Sequence, residues 1–99
     1  MEIQFRGNKL TLEFVNYQAN DQIAIQGWQN INDAAPYAVF TRCFPDTELQ
    51  PDETALDTNN CPEIFDILVD AGIIERTDEV ETIESGYCFY PVVKVLKQE

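Results

Sequence analysis

Apolar and polar residues alternate along the first part of the chain, a period of two that predicts β-strands. Residues 1–5 and 9–17 each carry apolar side chains at every second position, and the Gly7-Asn8 pair between them is typical of a tight turn. These two segments are therefore predicted to form a hairpin. Residues 22–28 and 37–44 follow as a third and a fourth strand, which together predict an antiparallel meander.

A helical period replaces the alternation near the middle of the chain. Asn60 and Glu63 have the spacing of a capping box, and Gly72 suits a residue just beyond a helix end. The apolar positions between them share one helix face: Ile64, Phe65, Leu68 and Ala71. These features predict a helix near residues 61–72, with Pro62 in its first turn.

The remaining segments complete a prediction of the α+β class. They are a loop over residues 45–53, a short strand over 54–57, a loop or edge over 76–84 and a last strand over 86–96. In that last strand, Pro91 requires an edge position or a bulge. Residues 1–99 are thus predicted as one α+β domain, an antiparallel sheet of about five strands with the helix covering one face.

The composition is that of a folded protein, with 44% hydrophobic and 11% aromatic residues, which a disordered acidic tail would not hold. No apolar run approaches the roughly 18 residues that cross a bilayer. The alternating, charged start of the chain is unlike a secretory signal, and three widely spaced cysteines are unlike a disulfide-stapled secreted domain. We therefore expect a soluble, cytoplasmic protein, unless a leader was removed from its start.

The excess negative charge is confined to the middle of the chain. Thirteen of the 18 acidic residues lie between Asp46 and Glu84, where Arg76 is the only base, while the acids and bases elsewhere cancel. Such one-sided charge repels nucleic acid and anionic membranes and attracts basic surfaces. The expected partner is therefore a basic, nucleic-acid-binding protein, with no direct contact to nucleic acid or membrane.

Residue types that carry catalysis are scarce. The chain has no histidine and Ser85 is its only serine, so neither a Ser-His nor a Cys-His pair can form. A pair of catalytic carboxylates would need a concave site that separates their pKa values, and no spacing identifies such a pair. The four glycines form no phosphate-binding loop, and the cysteines lack the pair spacing of a zinc site. The sequence predicts no enzymatic activity, no metal and no cofactor.

Calcium is a further possibility for an acidic chain. Asp57 and Asn59 have the first spacing of a calcium-binding loop, but the glycine and the distant glutamate of an EF-hand are missing. The pattern favours a local role, in which both side chains bond to their own backbone and set up the helix start.

Seven acidic residues are the candidate partner-binding residues. Three recur at i, i+3 and i+7 on the predicted helix, with the Cβ atoms of the nearest pair about 5–6 Å apart. The full set is Glu63, Asp66, Asp70, Asp78, Glu79, Glu81 and Glu84. Such a row resembles successive phosphates and could occupy a phosphate-binding groove. The alternative is an ordinary solvated face, which the helix dipole also favours.

Aromatic residues are concentrated in Tyr87-Cys88-Phe89-Tyr90. Alternation along a strand must expose either Tyr87 and Phe89 or Tyr90. Exposed aromatics often mark an interface, although core packing is the commoner reason for such a run. An exposed aromatic patch or an open edge strand would support self-association, including a homodimer.

Three short motifs occur together in this chain: PYAVFT at residues 36–41, DTNNCP at residues 57–62 and GYCFYP at residues 86–91. With them the sequence resembles a small family found in gut bacteria and their mobile elements. The family shares a PYA-x-x-T strand, a DTNNCP turn into a helix and a G-aromatic-C-x-YP final strand, and the resemblance spans roughly Leu10 to Leu96. It has no assigned activity and no catalytic residues to transfer. Its mobile-element setting implies accessory roles, including inhibition of host defence.

Two functions from different classes follow. The first is a small acidic, non-enzymatic binding protein, encoded by a mobile element, that mimics nucleic acid and blocks a basic nuclease or defence protein. The second is a structural domain that self-associates through an edge strand or an aromatic patch. The acidic segment between Asp46 and Glu84 favours the first.

Overall fold

The computed structural model describes residues 1–30, 32–76 and 81–96. Within these ranges the chain forms eight strands and one helix. The strands are β1 (Glu2–Phe5), β2 (Asn8–Asn16), β3 (Ile23–Trp28), β4 (Ala38–Val39), β5 (Thr41–Arg42), β6 (Glu53–Leu56), β7 (Thr82–Ser85) and β8 (Cys88–Lys94), and the helix is α1 (Ile64–Asp70).

The strands form two antiparallel sheets of four strands each. Their orders are β1-β2-β3-β4 in the first sheet and β5-β6-β8-β7 in the second. The predicted α+β class, an antiparallel protein with a single helix in the described residues, is confirmed. Its strands are more numerous than the predicted five and occupy two sheets, because residues 37–44 divide between the sheets and residues 82–85 add an edge strand.

Phe40 carries the chain from one sheet to the other, between β4 and β5. Its N–H donates to the carbonyl of Ile25 at 2.9 Å, and its own carbonyl accepts from the N–H of Asp57 at 2.8 Å. The ring is fully buried and meets the Phe5 ring edge-on, with 5.0 Å between centroids. The predicted strand over residues 37–44 is therefore two short strands that share one buried aromatic anchor.

A shared hydrophobic core joins both sheets and α1. Its fully buried members include Phe5, Leu10, Ile25, Leu56 and Leu68, so each layer contributes apolar side chains that leave water on folding. Two buried hydrogen bonds also connect the sheets. The Thr54 hydroxyl donates to the carbonyl of Ile23 at 2.5 Å, and the Thr41 hydroxyl accepts from the N–H of Ile25 at 3.2 Å.

The predicted first hairpin is present, with its turn one residue earlier than the Gly7-Asn8 pair suggested. Phe5 opposes Asn8, so the loop consists of Arg6 and Gly7. Both loop residues have positive φ, +51° and +80°, which is the backbone of the tight turn that fits the twist of paired strands. The turn thereby places Arg6 at the tip of the hairpin with its side chain free to reach another element.

The helix begins at Ile64, and the predicted capping box at its start is wrong. Glu63 is the residue before the helix and its side chain makes no capping hydrogen bond. Instead its carboxylate accepts from Arg6, while the Asn60 amide donates to Asp57. The predicted end is confirmed, since Gly72 follows the helix with a φ of +73°, a value that favours glycine.

The last strand β8 is internal, lying between β6 and β7. Pro91 is tolerated there because the ladder to β6 ends at Val92, one residue later, so the missing N–H of Pro91 has no partner to lose on that side. On the other side Pro91 opposes Thr82 of β7. Pro91 therefore lies at the end of the ladder with β6, whereas it is paired with β7. The strand as a whole does not have the predicted edge position.

Candidate functional site

The structure places five of the seven predicted partner-binding acids on or directly before two elements, α1 and β7. Glu63 lies just before α1, Asp66 and Asp70 lie on α1, Glu84 lies on β7 and Glu81 directly precedes it. All except Glu63 are exposed. Asp78 and Glu79 lie outside the described residues.

The Glu63 carboxylate already binds Arg6 within the same chain. Its Oε2 accepts from Arg6 Nε at 2.9 Å and its Oε1 from Arg6 Nη2 at 3.1 Å, the two-bond geometry in which a guanidinium matches a carboxylate. Arg6 Nη2 also donates to the carbonyl of Asn60 at 2.9 Å. The hydrogen bond from Arg6 is the main cause that lowers the pKa of Glu63, so this carboxylate stays charged but is already partnered.

Asp66 and Asp70 are the acids of α1 that remain available. They stand four positions apart, so they lie on neighbouring turns of the same helix face. The Asp66 side chain is 76% exposed and lies 3.6 Å from Arg76, an ion pair of little strength at such exposure. Asp70, at the end of the helix, is also exposed. These two carboxylates can therefore meet a cation from outside the protein.

The β7–β8 hairpin brings an acid and two aromatics together. Glu84 opposes Phe89, so their side chains share one face of the hairpin. Phe89 is 56% exposed, and Tyr87 in the two-residue turn is fully exposed. Tyr90 is buried, which decides the alternative that strand alternation left open. The hairpin tip therefore places a carboxylate beside exposed aromatic side chains, and aromatic residues are enriched at protein interfaces.

Tyr90 has a structural role on the opposite face of the same hairpin. Its hydroxyl accepts from Arg42 at 2.7 Å, and its ring meets Phe44 edge-on with centroids 5.0 Å apart. The Arg42 guanidinium lies 5.2 Å above the Tyr90 ring, within the range of a cation–π contact. This packing anchors β8 to the loop after β5 and leaves Phe89 facing outward.

The DTNNCP segment, residues 57–62, is a junction between elements. Asp57 Oδ1 accepts from the backbone N–H of Asn60 at 3.4 Å, which confirms its predicted local role, and its Oδ2 accepts from the Asn60 side-chain amide at 2.8 Å. The local role predicted for Asn59 is wrong, because its amide donates across the fold to the carbonyl of Phe89 at 3.1 Å. Cys61 is buried in the core, and burial raises the pKa of its thiol. The motif thus ties β8, the first hairpin turn and α1 together through its own backbone and side chains.

Two of the clefts on the described surface have volumes of several hundred Å³. One, of about 470 Å³, lies between the β2–β3 turn and residues 45–49, which Gln22 holds by donating to the carbonyls of Phe44 and Thr47 at 3.2 and 2.9 Å. Asp46 and Glu48 on its wall are exposed carboxylates. The other, of about 360 Å³, lies between β1 and α1.

Arg6 and the β1 edge are features of the surface that the sequence analysis missed. Arg6 reaches Glu63 across 57 positions, a separation that no local pattern encodes. The position of β1 at a sheet edge could have been inferred, because a short first strand closed by a tight turn has one certain neighbour, β2.

Among the described residues, no group of three or more His, Cys, Asp or Glu side chains could hold a metal ion. No helix in the described ranges has both the length and the apolar character needed to cross a bilayer. Comparison with protein-family models, with curated proteins and with solved structures finds no match for this chain. The class of the protein is therefore described from its fold and its surface alone. In the described residues it is a two-sheet α+β protein with exposed acids on a helix and on an aromatic hairpin.

Proposed function

We propose that this chain is a small, non-enzymatic binding protein that engages a basic surface of another protein. Its contacts would be the exposed acids Asp66, Asp70, Glu81 and Glu84, together with Asp78 and Glu79, which lie outside the described residues. The observation that carries the proposal is the pairing of Glu84 with Phe89 on the hairpin. It places an exposed carboxylate beside an exposed ring, and apolar surface rimmed by charged residues often marks an interaction site.

The internal charge balance supports the same proposal. In the described ion pairs, the cations are Arg6, Lys9, Arg76 and Lys94. Asp70, Glu81 and Glu84 have no described counter-ion. These acids also lie on or beside regular elements, whose backbone is already fixed before binding. A partner therefore meets a surface that loses little conformational freedom on association.

We further propose that the partner's basic surface is one that binds nucleic acid. Asp66 and Asp70 stand on successive helical turns, and their spacing is of the order of successive phosphates on a strand. Glu63 adds less to this row than its position suggests, since Arg6 already neutralises it. The mobile-element setting of the similar family suggests that the target is a nuclease or defence protein of the bacterial host.

The cytoplasm is the compartment that we propose for this activity. All three cysteines are free thiols, and Cys61 lies buried in the core. Free thiols persist in reducing compartments, where disulfides are rare. Nucleic-acid-binding proteins of the bacterial cell occupy the same compartment.

Capture from bacterial lysate at low and high salt tests the function. The altered protein carries Asp66→Lys, Asp70→Lys and Glu84→Lys, and its matched control carries Glu13→Lys, Asp46→Lys and Glu48→Lys, which change the net charge equally. We expect a basic nucleic-acid-binding protein to be recovered at low salt by the unaltered and control proteins only. Equal capture by both variants would mean that net charge alone acts, and capture of nothing would sink the proposal.

Competition with nucleic acid separates mimicry from other binding. With the captured partner purified, increasing amounts of this protein should release a bound labelled oligonucleotide. Release at concentrations near the measured Kd supports mimicry. Formation of a three-component complex instead would show that the protein binds elsewhere on its partner.

Self-association is the second candidate function, and the full exposure of Tyr87 beside Phe89 favours it. Sedimentation at several concentrations and salt levels tests it with Tyr87→Ser/Phe89→Ser against the control Val15→Ser/Val39→Ser, whose residues are exposed on the first sheet. A salt-insensitive dimer that only the aromatic variant dissociates would support this function. A monomer at every concentration would exclude it.

A further inference from the structure

The outer edge of β1 carries backbone groups that no described residue uses. Because Phe5 and Asn8 close a two-residue turn, they form a hydrogen-bonded pair, and such pairs alternate along the hairpin. The N–H of Leu12 accordingly donates to the carbonyl of Met1 at 2.8 Å. Glu2 and Gln4 occupy the intervening positions, so their N–H and C=O groups point away from β2. In the described ranges no strand lies on that side of β1.

A groove runs beside this edge, between β1 and α1. Its volume is about 360 Å³ and it is lined by Glu2, Ile3, Gln4, Ile67, Asp70 and Ala71. Ile67 is half-buried and packs on the core, and Ala71 is a small exposed residue, so the floor is apolar and shallow. Exposed carboxylates of Glu2 and Asp70 stand at the rim, and Glu2 also forms a solvent-exposed ion pair with Lys9 at 3.4 Å, which is weak at such exposure. A strand added at the usual spacing of about 4.8 Å from β1 would lie over this floor.

We propose that the β1 edge binds an extended basic segment of a partner protein as an added β-strand. The segment would pair its backbone with Glu2 and Gln4, place apolar side chains on Ile67 and Ala71, and carry lysine or arginine toward Glu2 and Asp70. The basic character of the segment rests on the proposed function, whereas the open edge and the groove do not. Backbone pairing supplies the affinity in this mode of recognition, and the alternate side chains supply the selectivity.

Charge favours a basic segment over a second copy of the chain in this groove. Each copy carries a net charge of −12. Two copies joined edge to edge through β1 would bring the Glu2 and Asp70 carboxylates of both to one interface, and like charges that face each other across paired strands are destabilising. A segment with cations at alternate positions would replace this repulsion by attraction to Glu2 and Asp70, and its backbone would form the same hydrogen bonds with Glu2 and Gln4.

The test uses a blocked six-residue peptide of alternating lysine and valine. Its control is the same peptide with the lysine amides N-methylated, which keeps the charge and removes backbone donors. A second control peptide has the valine amides methylated instead. Alternate N–H groups of a strand point to opposite edges, so whichever edge of the peptide faces β1, one of the two methylated peptides loses its backbone donors to β1. We expect the unmethylated peptide to protect the Glu2 and Gln4 amides from hydrogen exchange, and one methylated peptide to bind about tenfold more weakly.

Substitutions in the protein provide the matching test. Gln4→Pro removes an outward N–H that β2 does not use, a change that an edge strand tolerates. Thr82→Pro makes the same change on the outer edge of β7, because Thr82 opposes Pro91 in a pair that also lies between hydrogen-bonded pairs. We expect Gln4→Pro to weaken peptide binding about tenfold and Thr82→Pro to leave it unchanged.

Several results would overturn the inference. Equal affinity for all three peptides without protection of Glu2 and Gln4 would mean that charge alone attracts them. A dimer of the protein that Gln4→Pro dissociates would assign the edge to a second copy. If Gln4→Pro still captures the lysate partner while Asp66→Lys, Asp70→Lys and Glu84→Lys together abolish capture, the β1 inference is wrong and the proposed function stands.

Discussion

Arg6 and Glu63 are joined by two hydrogen bonds, at 2.9 and 3.1 Å, although 57 positions separate them in the chain. The pair links the tip of the first hairpin to the start of α1, and the third bond from Arg6 to the Asn60 carbonyl holds the intervening turn as well. Both side chains are substantially exposed, at 47% and 39%. Exposed ion pairs contribute little stability, so the main effect of this pair is to orient the helix against the hairpin.

The Arg6–Glu63 pair predicts a pH dependence at acid pH. The pKa of Glu63 is lowered from 4.5 in the folded protein, chiefly by the hydrogen bond from Arg6, so its contribution is complete above 4.5 and is lost as the pH falls through the lower folded value. Glu63→Gln should therefore reduce stability slightly at pH 7. Urea unfolding of both proteins from pH 7 to pH 3 checks this, and a difference that does not shrink below pH 4.5 would contradict it.

Close packing around Gly27 predicts that even a methyl group is too large there. A Cβ at this position would lie 2.9 Å from Leu10 Cδ1 and 2.9 Å from Phe40 Cε2. Gly27→Ala should cost about 1–3 kcal/mol, as overpacking of a core does. Phe40→Leu frees part of that space, so the double variant should lose less free energy of unfolding than the two single losses together. Strict additivity in denaturant unfolding would show that the contact with Phe40 is not the cause.

The bond from Thr54 to the Ile23 carbonyl predicts a sensitive point between the sheets. Thr54→Val keeps the shape of the side chain but leaves that buried carbonyl without its 2.5 Å hydrogen bond. The expected loss is about 1–3 kcal/mol. Thr82→Val, on the exposed edge strand β7, is the matched control and should change stability by less than about 0.5 kcal/mol. Similar losses for both variants in urea unfolding would refute the role of Thr54.

Burial of Cys61 and Tyr17 predicts a loss of stability at alkaline pH. Desolvation is the largest cause that raises the pKa of the thiol from 9.0 and of the phenol from 10.0. Each group therefore favours folding below its ordinary pKa, and the benefit is lost as the pH rises through the folded value. Cys61→Ala should reduce the fall in stability that begins near pH 9. Unfolding from pH 8 to pH 11 measures it, and an unchanged slope would contradict the assignment.

Thiol labelling provides an independent check on Cys61. The three cysteines are free, and Cys61 is buried whereas Cys43 and Cys88 are half-buried. A thiol-specific chromophore should therefore label two thiols quickly and the third slowly in the folded protein, and all three quickly in urea. Cys61→Ala should remove the slow phase. Loss of a fast phase instead would place the protected thiol elsewhere.

Local patterns predicted those parts of the fold that depend on near neighbours. Alternation in residues 1–17 indicated the first hairpin, and Gly72 marked the end of α1. The capping box failed because Arg6, a residue distant in sequence, takes the carboxylate of Glu63. The crossing between sheets at Phe40 could not be predicted from the local sequence either. Residues 37–44 favour a β-strand conformation, and this preference does not depend on whether the chain stays in one sheet or crosses to the other.

The candidate site divides in the same way. The density of acids was evident in the sequence, and the structure adds which of them are exposed, as for Asp66, and which already have a partner, as for Glu63. Alternation along β8 left two alternatives, exposure of Phe89 or exposure of Tyr90. The sequence alone does not decide between them, because it does not show which face of β8 packs against the core. The groove beside β1 depends on helix placement and could not be derived from any single segment.

The crossing at Phe40 bears on how the protein forms during synthesis. The first sheet is complete by residue 39, before any strand of the second sheet has left the ribosome. Its inner face includes Phe5, Leu10 and Ile25, whose cover comes in part from α1 and from β8, both encoded later. A nascent chain from which only the first sheet has emerged would therefore expose an apolar sheet face, to which chaperones and other nascent chains can bind. Only a chain synthesised past β8 contains every described strand that covers this face.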